Sequence, residues 1–156
     1  ALLNMAHCYL YLGKLSECES NLDQALERCH LFNLVAARAH AFETYGNLYR
    51  ERGEIDRANE YYQRATRAYD DAGVNLARTE LLEEQALLSL LIGDVGAARS
   101  QIDRLIEARP ADKNELGFFT ATLARARIMI AQEEYQGASE QLSKARRYFH
   151  DHTLYY

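Results

Sequence analysis

Four short stretches hold the side chains that metal binding or acid–base chemistry most often uses. His150-Asp151-His152 sets two imidazoles around a carboxylate. Two imidazoles at that spacing meet on one side only if the segment is extended. No further ligand cluster accompanies them, so they read as a solvated loop between repeats rather than a metal site. Cys29-His30 lacks companions in the same way. Glu83-Glu84 and Glu133-Glu134 are paired carboxylates, which general acid–base catalysis would need in two different environments. Adjacent residues of a helix do not face each other, so both pairs read as charged solvent faces.

The rest of the composition points away from chemistry. No glycine-rich phosphate loop, HExxH pair, GxSxG elbow or calcium loop occurs, and the chain is expected to be no enzyme and to use no cofactor or metal. Cys8, Cys18 and Cys29 are odd in number and form no CxxC pair, which argues against a disulfide framework or structural zinc. They read as small core residues. Of the eleven tyrosines, Tyr9, Tyr45, Tyr49 and Tyr62 fall on a packing stripe as core residues with a polar tip. A net charge of −5 argues against direct nucleic-acid binding. Only residues 113–156 carry more base than acid, and Arg125, Arg127, Lys144, Arg146 and Arg147 there read as solvated surface. No run approaches the roughly 20 apolar residues of a membrane span and no signal-peptide pattern opens the chain, so the expected setting is cytoplasmic, without membrane contact.

The elements that position these residues repeat. From Phe42 to Ala65 the sequence describes two helices meeting at Gly53, with Phe42, Tyr45, Gly46 and Tyr49 on one stripe and Ala58, Tyr62 and Ala65 on the other. A glycine inside a helix costs about 1 kcal/mol against alanine, which Gly46 offsets if a neighbouring helix passes too close for a side chain. The pattern recurs every forty residues: Ala6, Gly46, Ala86 and Ala126 are small, as are Cys18, Ala58, Ala98 and Ala138, while Leu22, Tyr62, Ile102 and Leu142 are large. Gly13, Gly53 and Gly93 mark three turns, and Glu133 stands where the fourth glycine would be. The expected copies are 1–32, 33–72, 73–112 and 113–153, each a helix pair. The limits are about Leu15–Cys29, Leu34–Arg52, Val74–Ile92, Val95–Ala108, Glu115–Gln132 and Tyr135–Phe149. Gly73 is a left-handed cap, and Pro110 separates the third copy from the fourth.

In Phe42, Tyr45, Gly46, Tyr49, Ala58 and Tyr62, with Pro110 at the closing position, the sequence resembles the tetratricopeptide repeat family. The resemblance covers essentially the whole chain. Its period is forty where thirty-four is usual, as in long-repeat variants of some signalling scaffolds and bacterial transcription regulators. Gln85 and Ser89 also depart from the apolar pattern. The resemblance implies an all-α fold, an α-solenoid of four antiparallel helix pairs in a right-handed superhelix. It further implies a non-catalytic scaffold binding a peptide or partner domain in its concave groove. The alternative is an effector-sensing segment of a multidomain bacterial transcription regulator or signalling ATPase.

Helical phase assigns the groove. From the first two copies it takes His7, Leu10, Tyr11, His40, Glu43, Asn47 and Arg50. From the third it takes Glu80, Glu83, Leu87, Leu90 and Leu91, and from the fourth Thr120, Leu123, Arg127 and Ile130. Acid at the middle beside apolar side chains predicts a protein or peptide partner with an apolar anchor and basic flanks. Leu2, Met5, Ala6 and Tyr9 are in phase from the first residue, without an initiating methionine, and Leu154-Tyr155-Tyr156 stand at the register of Leu34. The sequence is therefore expected to be a piece of a longer array, weakly self-associating through uncapped ends including Leu2, Met5, Tyr148 and Phe149.

Overall fold

A computed structural model describes the backbone of residues 1–108 and 115–153, and the side chains of 1–74, 81–107, 121–147 and 150. Pro110 and Leu154–Tyr156 lie outside the described residues. Eight helices are described: α1 Leu2–Tyr11, α2 Leu15–Leu31, α3 Val35–Glu51, α4 Ile55–Ala72, α5 Asn75–Leu91, α6 Val95–Ala108, α7 Glu115–Ala131 and α8 Tyr135–Thr153. Helices α2, α3, α5, α6 and α7 begin and end within two residues of the sequence limits. Helix α8 runs four residues past its limit, because nothing at His150-Asp151-His152 breaks a helix. That stretch is helical rather than the expected loop, and the extended geometry in which its imidazoles would meet does not form.

Every described joint closes in the same way. At the first, Lys14 N–H donates to the Tyr9 carbonyl at 2.9 Å and Gly13 N–H to that of Leu10 at 3.0 Å, a Schellman motif. The first of these bonds, spanning five residues, recurs from Leu34 to Cys29, Glu54 to Tyr49, Val74 to Tyr69, Asp94 to Ser89 and Glu134 to Met129, at 2.8–3.1 Å. The motif needs one left-handed residue. That residue is Gly13, Asn33, Gly53, Gly73, Gly93 or Glu133, with φ between 50° and 77°. Glu133 therefore keeps the glycine conformation without being glycine.

The chain divides into two compact units, Ala1–Leu81 and Leu82–Tyr156. In the first, Ala6, Cys18, Leu22, Ala39, Ala41, Leu48, Ala58, Tyr62 and Ala65 are fully buried. Gly46 is buried against Tyr62, and a Cβ at position 46 would penetrate the Tyr62 ring. The close approach comes from the second helix of the same repeat. In the second unit, Ala86 of α5, Ala98, Ile102 and Leu105 of α6, and Ala121, Ala124 and Ile128 of α7 form one cluster. Ser89, polar where an apolar residue is expected, is 8% exposed. Its hydroxyl donates to Gln101 Oε1 at 3.0 Å, which satisfies it.

Two core expectations fail. Cys8 is exposed while Cys18 and Cys29 are buried, and Leu142 is 41% exposed where Leu22 and Ile102 are at 0%. Cys8 lies on the outer side of α1 and Leu142 on that of α8, and no described helix covers either side.

Replacing Gly46 by alanine is expected to lower stability by about 1–3 kcal/mol, since the buried Tyr62 ring must shift. Glu133→Gly is expected to raise it by about 0.5–1 kcal/mol, as relief of the left-handed strain outweighs the added freedom of the unfolded chain. Urea unfolding of both variants measures the two effects. A neutral Gly46→Ala would refute the contact.

Candidate functional site

Helices α1 and α3 lie side by side, and their shared face is built from hydroxyls and imidazoles. The His7 and His40 rings stack with centroids 5.0 Å apart at 21°. Buried Thr44 donates its hydroxyl proton to the His40 carbonyl at 2.9 Å. Its oxygen is therefore left to accept from His7 Nε2 at 2.8 Å, which places a proton on that nitrogen. The Tyr69 hydroxyl of α4 donates to Glu43. His40 Nδ1 stands 3.4 Å from the Tyr69 oxygen and 3.6 Å from the Glu43 carboxylate. One turn on, the Tyr62 hydroxyl donates to Asn47 Oδ1 at 2.6 Å and accepts from Arg50 Nη1 at 3.3 Å. Residues 40, 43, 47 and 50 follow helical steps of three and four, so one stripe of α3 meets two tyrosine tips of α4.

Of the groove residues expected from sequence, the first unit thus brings together His7, His40 and Glu43, with Asn47 and Arg50 beside them. Leu10 is half-buried, and Tyr11 stands 88% exposed at the end of α1. In the second unit Glu83, Leu87 and Leu123 are half-buried, Arg127 is exposed, and Leu91 and Ile130 are 64% and 46% exposed. Leu90 packs against the core cluster. The side chains of Glu80 and Thr120 lie outside the described residues.

A second constellation, on the joint between successive pairs, was not expected. Tyr45 and Tyr49 of α3 donate their hydroxyls to Asp23 and Glu19 of α2, the latter at 3.1 Å. Arg52 pairs with Glu19 at 2.7 Å. Arg57 donates to the Tyr49 oxygen at 2.7 Å and lies 3.9 Å over that ring, while Arg64 covers Phe42 and Tyr61. The same positions pair eighty residues later. Arg125 of α7 reaches Asp103 of α6 at 3.5 Å, as Tyr45 reaches Asp23. Arg99 of α6 donates to Gln132 at 3.2 Å, as Glu19 meets Arg52. The signal was in the sequence: Glu19 and Asp23 are four apart, as are Tyr45 and Tyr49, so two helices present matching one-turn ladders.

Residues 1–71 match the family model described as tetratricopeptide repeat. They belong to the tetratricopeptide repeat family. Among solved structures, the crystal structure of BtubC (BKLC) from P. vanneervenii is similar to this chain, with a TM-score of 0.78 and 16% sequence identity. The match covers 97% of this chain and 63% of that one, so the chain spans less than two thirds of that protein's length. At this identity the likeness shows the fold, an all-α solenoid of helix pairs. No curated protein matches the sequence.

The tetratricopeptide joint also sets the local electrostatics. The hydrogen bond from Arg52 holds the Glu19 carboxyl below its usual range, against a smaller opposing effect of burial. Burial, then the bond to Glu19, pushes the Tyr49 phenol up to about 12. Burial and the Asp23 carboxylate raise Tyr45 further still. Burial holds the Cys18 thiol at about 11, so at neutral pH it is a packed thiol and not a nucleophile. Because the folded value of Glu19 is depressed, its contribution is fully present above the unfolded carboxylate range and is lost as pH falls through the folded value. Glu19→Gln is therefore expected to cost about 0.5–1 kcal/mol at neutral pH, discounted for partial exposure. The difference from wild type should close at a pH low enough to protonate Glu19 in the folded state. Urea midpoints at the two pH values test this, and a pH-independent gap would show that packing rather than charge is lost.

Proposed function

We propose that this chain is a non-catalytic scaffold whose first helices hold a peptide or partner segment carrying an apolar anchor with basic flanks. Tetratricopeptide repeats generally mediate protein–protein interaction, and the family match over residues 1–71 is the observation that carries this reading. Two features of the structure support it. The face shared by α1 and α3 is held in a fixed hydrogen-bonded arrangement by Thr44, Tyr62 and Tyr69, so a ligand meets a surface that needs little ordering. On α5, Leu91 is 64% exposed, two helical turns from the half-buried carboxylate of Glu83. An exposed apolar side chain within reach of acid suits a leucine- or phenylalanine-anchored segment followed by lysine or arginine.

Selection of a displayed random-peptide library on the purified chain is expected to enrich sequences of that type. For a selected peptide, Leu91→Asp should weaken binding at least about tenfold, or about 1.4 kcal/mol, without moving the melting temperature. Glu83→Lys should slow association and reduce its salt dependence. Enrichment of acidic peptides, or unchanged affinity in both variants, would overturn this assignment.

A further inference from the structure

The turn between α2 and α3 carries three large apolar side chains in the open: Leu31, Phe32 and Leu34 are 68%, 69% and 47% exposed. The exposure belongs to this place in the repeat. Forty residues on, the α4–α5 turn follows two packed helix pairs, and Asp71 and Gly73 there are exposed as Leu31 and Asn33 are. Backbone bonds fix the turn: Phe32 N–H donates to the Arg28 carbonyl at 3.0 Å and Leu34 N–H to that of Cys29 at 2.9 Å. A docking surface therefore meets apolar side chains that are already in place.

The charge of this turn is one-sided. From Arg28 to Phe42 the sequence holds two arginines, two histidines and no carboxylate. Arg28 is exposed one helical turn before Phe32, and Arg38 stands one turn after Leu34. Arg38 is half-buried, its Nε is buried without an acceptor, and no carboxylate pairs with it among the described residues. The other half-buried arginines have partners: Arg50 meets the Tyr62 hydroxyl, Arg52 Glu19, Arg64 Glu60 and Arg125 Asp103. A carboxylate arriving from outside would give Arg38 the partner that the fold withholds.

The α5 face offers the complement. Leu91 is 64% exposed beside Ile92 at 58%, with the half-buried Glu83 two turns before it. This position is open in every copy, since Tyr11, Glu51 and Ala131 are exposed as well. Tyr11 lacks the acid, because no carboxylate precedes Glu17. As apolar anchors, the other exposed turns fit less well: Tyr11-Leu12 has Lys14 alone beside it, and Tyr135 follows Glu133 and Glu134. Among the described residues, the turn at Leu31–Leu34 pairs an apolar anchor with arginine on both flanks.

We infer that the partner of the Leu91 face is a second copy of this chain, which seats its Leu31–Leu34 turn on Leu91 and Ile92 and brings Arg38 toward Glu83. This rests on the binding role proposed above for that face and names its occupant. Each molecule carries one turn and one face, so the contact closes as a reciprocal dimer or propagates as a chain.

Sedimentation of the purified chain and its variants tests this. Wild-type mass is expected to rise with concentration and to fall back as salt is added. Phe32→Asp removes the turn and Leu91→Asp the face, so each alone should be monomeric. Their equimolar mixture should form a one-to-one complex and nothing larger, because one intact turn meets one intact face. Phe32 and Leu91 are 69% and 64% exposed, so melting temperatures should stay at the wild-type value. If either variant unfolds, Leu31→Asp and Ile92→Asp replace them. Arg38→Gln should weaken association about threefold and reduce its salt dependence. Strictly monomeric wild type up to about 1 mM, and so no self-association tighter than that dissociation constant, overturns the inference. Association untouched by Leu91→Asp, or failure of the mixture to form its complex, does so too. A library-selected peptide separates the two levels of failure. If it binds a monomeric wild type and loses affinity in Leu91→Asp, the face stands and its occupant is wrong; if it binds Leu91→Asp as well as wild type, the binding role of the face itself falls.

Discussion

Positive φ at positions 13, 33, 53, 73, 93 and 133 ends six of the eight described helices at the same place in their units, and every other regularity follows from that spacing. A residue held left-handed lets the next two amides reach back to carbonyls that would otherwise be orphaned. The following helix then starts at a fixed phase. With helix length and phase fixed, a given position meets the same neighbour in each copy, which is why small residues stay at Ala6, Gly46, Ala86 and Ala126. The constraint is on the backbone and not on residue type, since Asn33 and Glu133 satisfy it with a Cβ present.

The joints between pairs use that fixed phase in two ways. Positions 23 and 45, and 19 and 52, are paired at α2–α3, and the same positions are paired again at α6–α7 with different charges: Asp103 with Arg125, and Arg99 with Gln132. Partly exposed ion pairs contribute about 0–1 kcal/mol each. Burying a large aromatic or aliphatic side chain contributes about 1.5–3 kcal/mol. The stability of stacking therefore comes from residues such as Leu22, Leu48, Tyr49, Ile102 and Ile128, all 2% exposed or less. The polar pairs do something else. By differing from joint to joint, they penalise stacking one helix against the wrong neighbour, where a charge would face no partner.

What was legible in the sequence was whatever depends on one helix and its phase. The helix limits, the left-handed Gly73 and the buried small residues could all be read from spacing alone. Cys8 and Leu142 could not. Cys8 reads as a core residue because it lacks a CxxC companion, and Leu142 because it repeats Leu22 and Ile102; neither signal says whether a neighbour is there to cover the side chain, and both are exposed. His150-Asp151-His152 was read as a loop on its residue types, and helix continuation overrode them. The acid–tyrosine ladder escaped because its partners sit 22 and 30 residues apart on different helices, and each half alone looks like an ordinary surface or core residue. The face containing His7, His40 and Glu43 was assigned by phase, but what holds it was hidden. Tyr62 reads as a core residue by spacing and Tyr69 is not singled out by it, and only the packed structure shows their hydroxyls turned toward α3.

Those two hydroxyls bear on how a first-helix face can serve binding. A buried tyrosine tip must find a partner, and in the first unit the partners lie on the stripe that helical phase assigns to the ligand. Satisfying the core therefore orders the surface. Glu43 is fixed by Tyr69, Asn47 by Tyr62, and His7 by Thr44, before any ligand arrives. Immobilising such side chains on binding would otherwise cost about 0.5–1.5 kcal/mol each, and here that cost is met during folding. The same coupling limits what can change. Substituting Asn47 or Glu43 to alter a ligand preference leaves a tyrosine hydroxyl without its acceptor, at about 1–3 kcal/mol of stability. Leu91 carries no such obligation, being exposed and outside the hydroxyl network, so under the binding role proposed above, preference for one partner over another would be able to change there without loosening the fold.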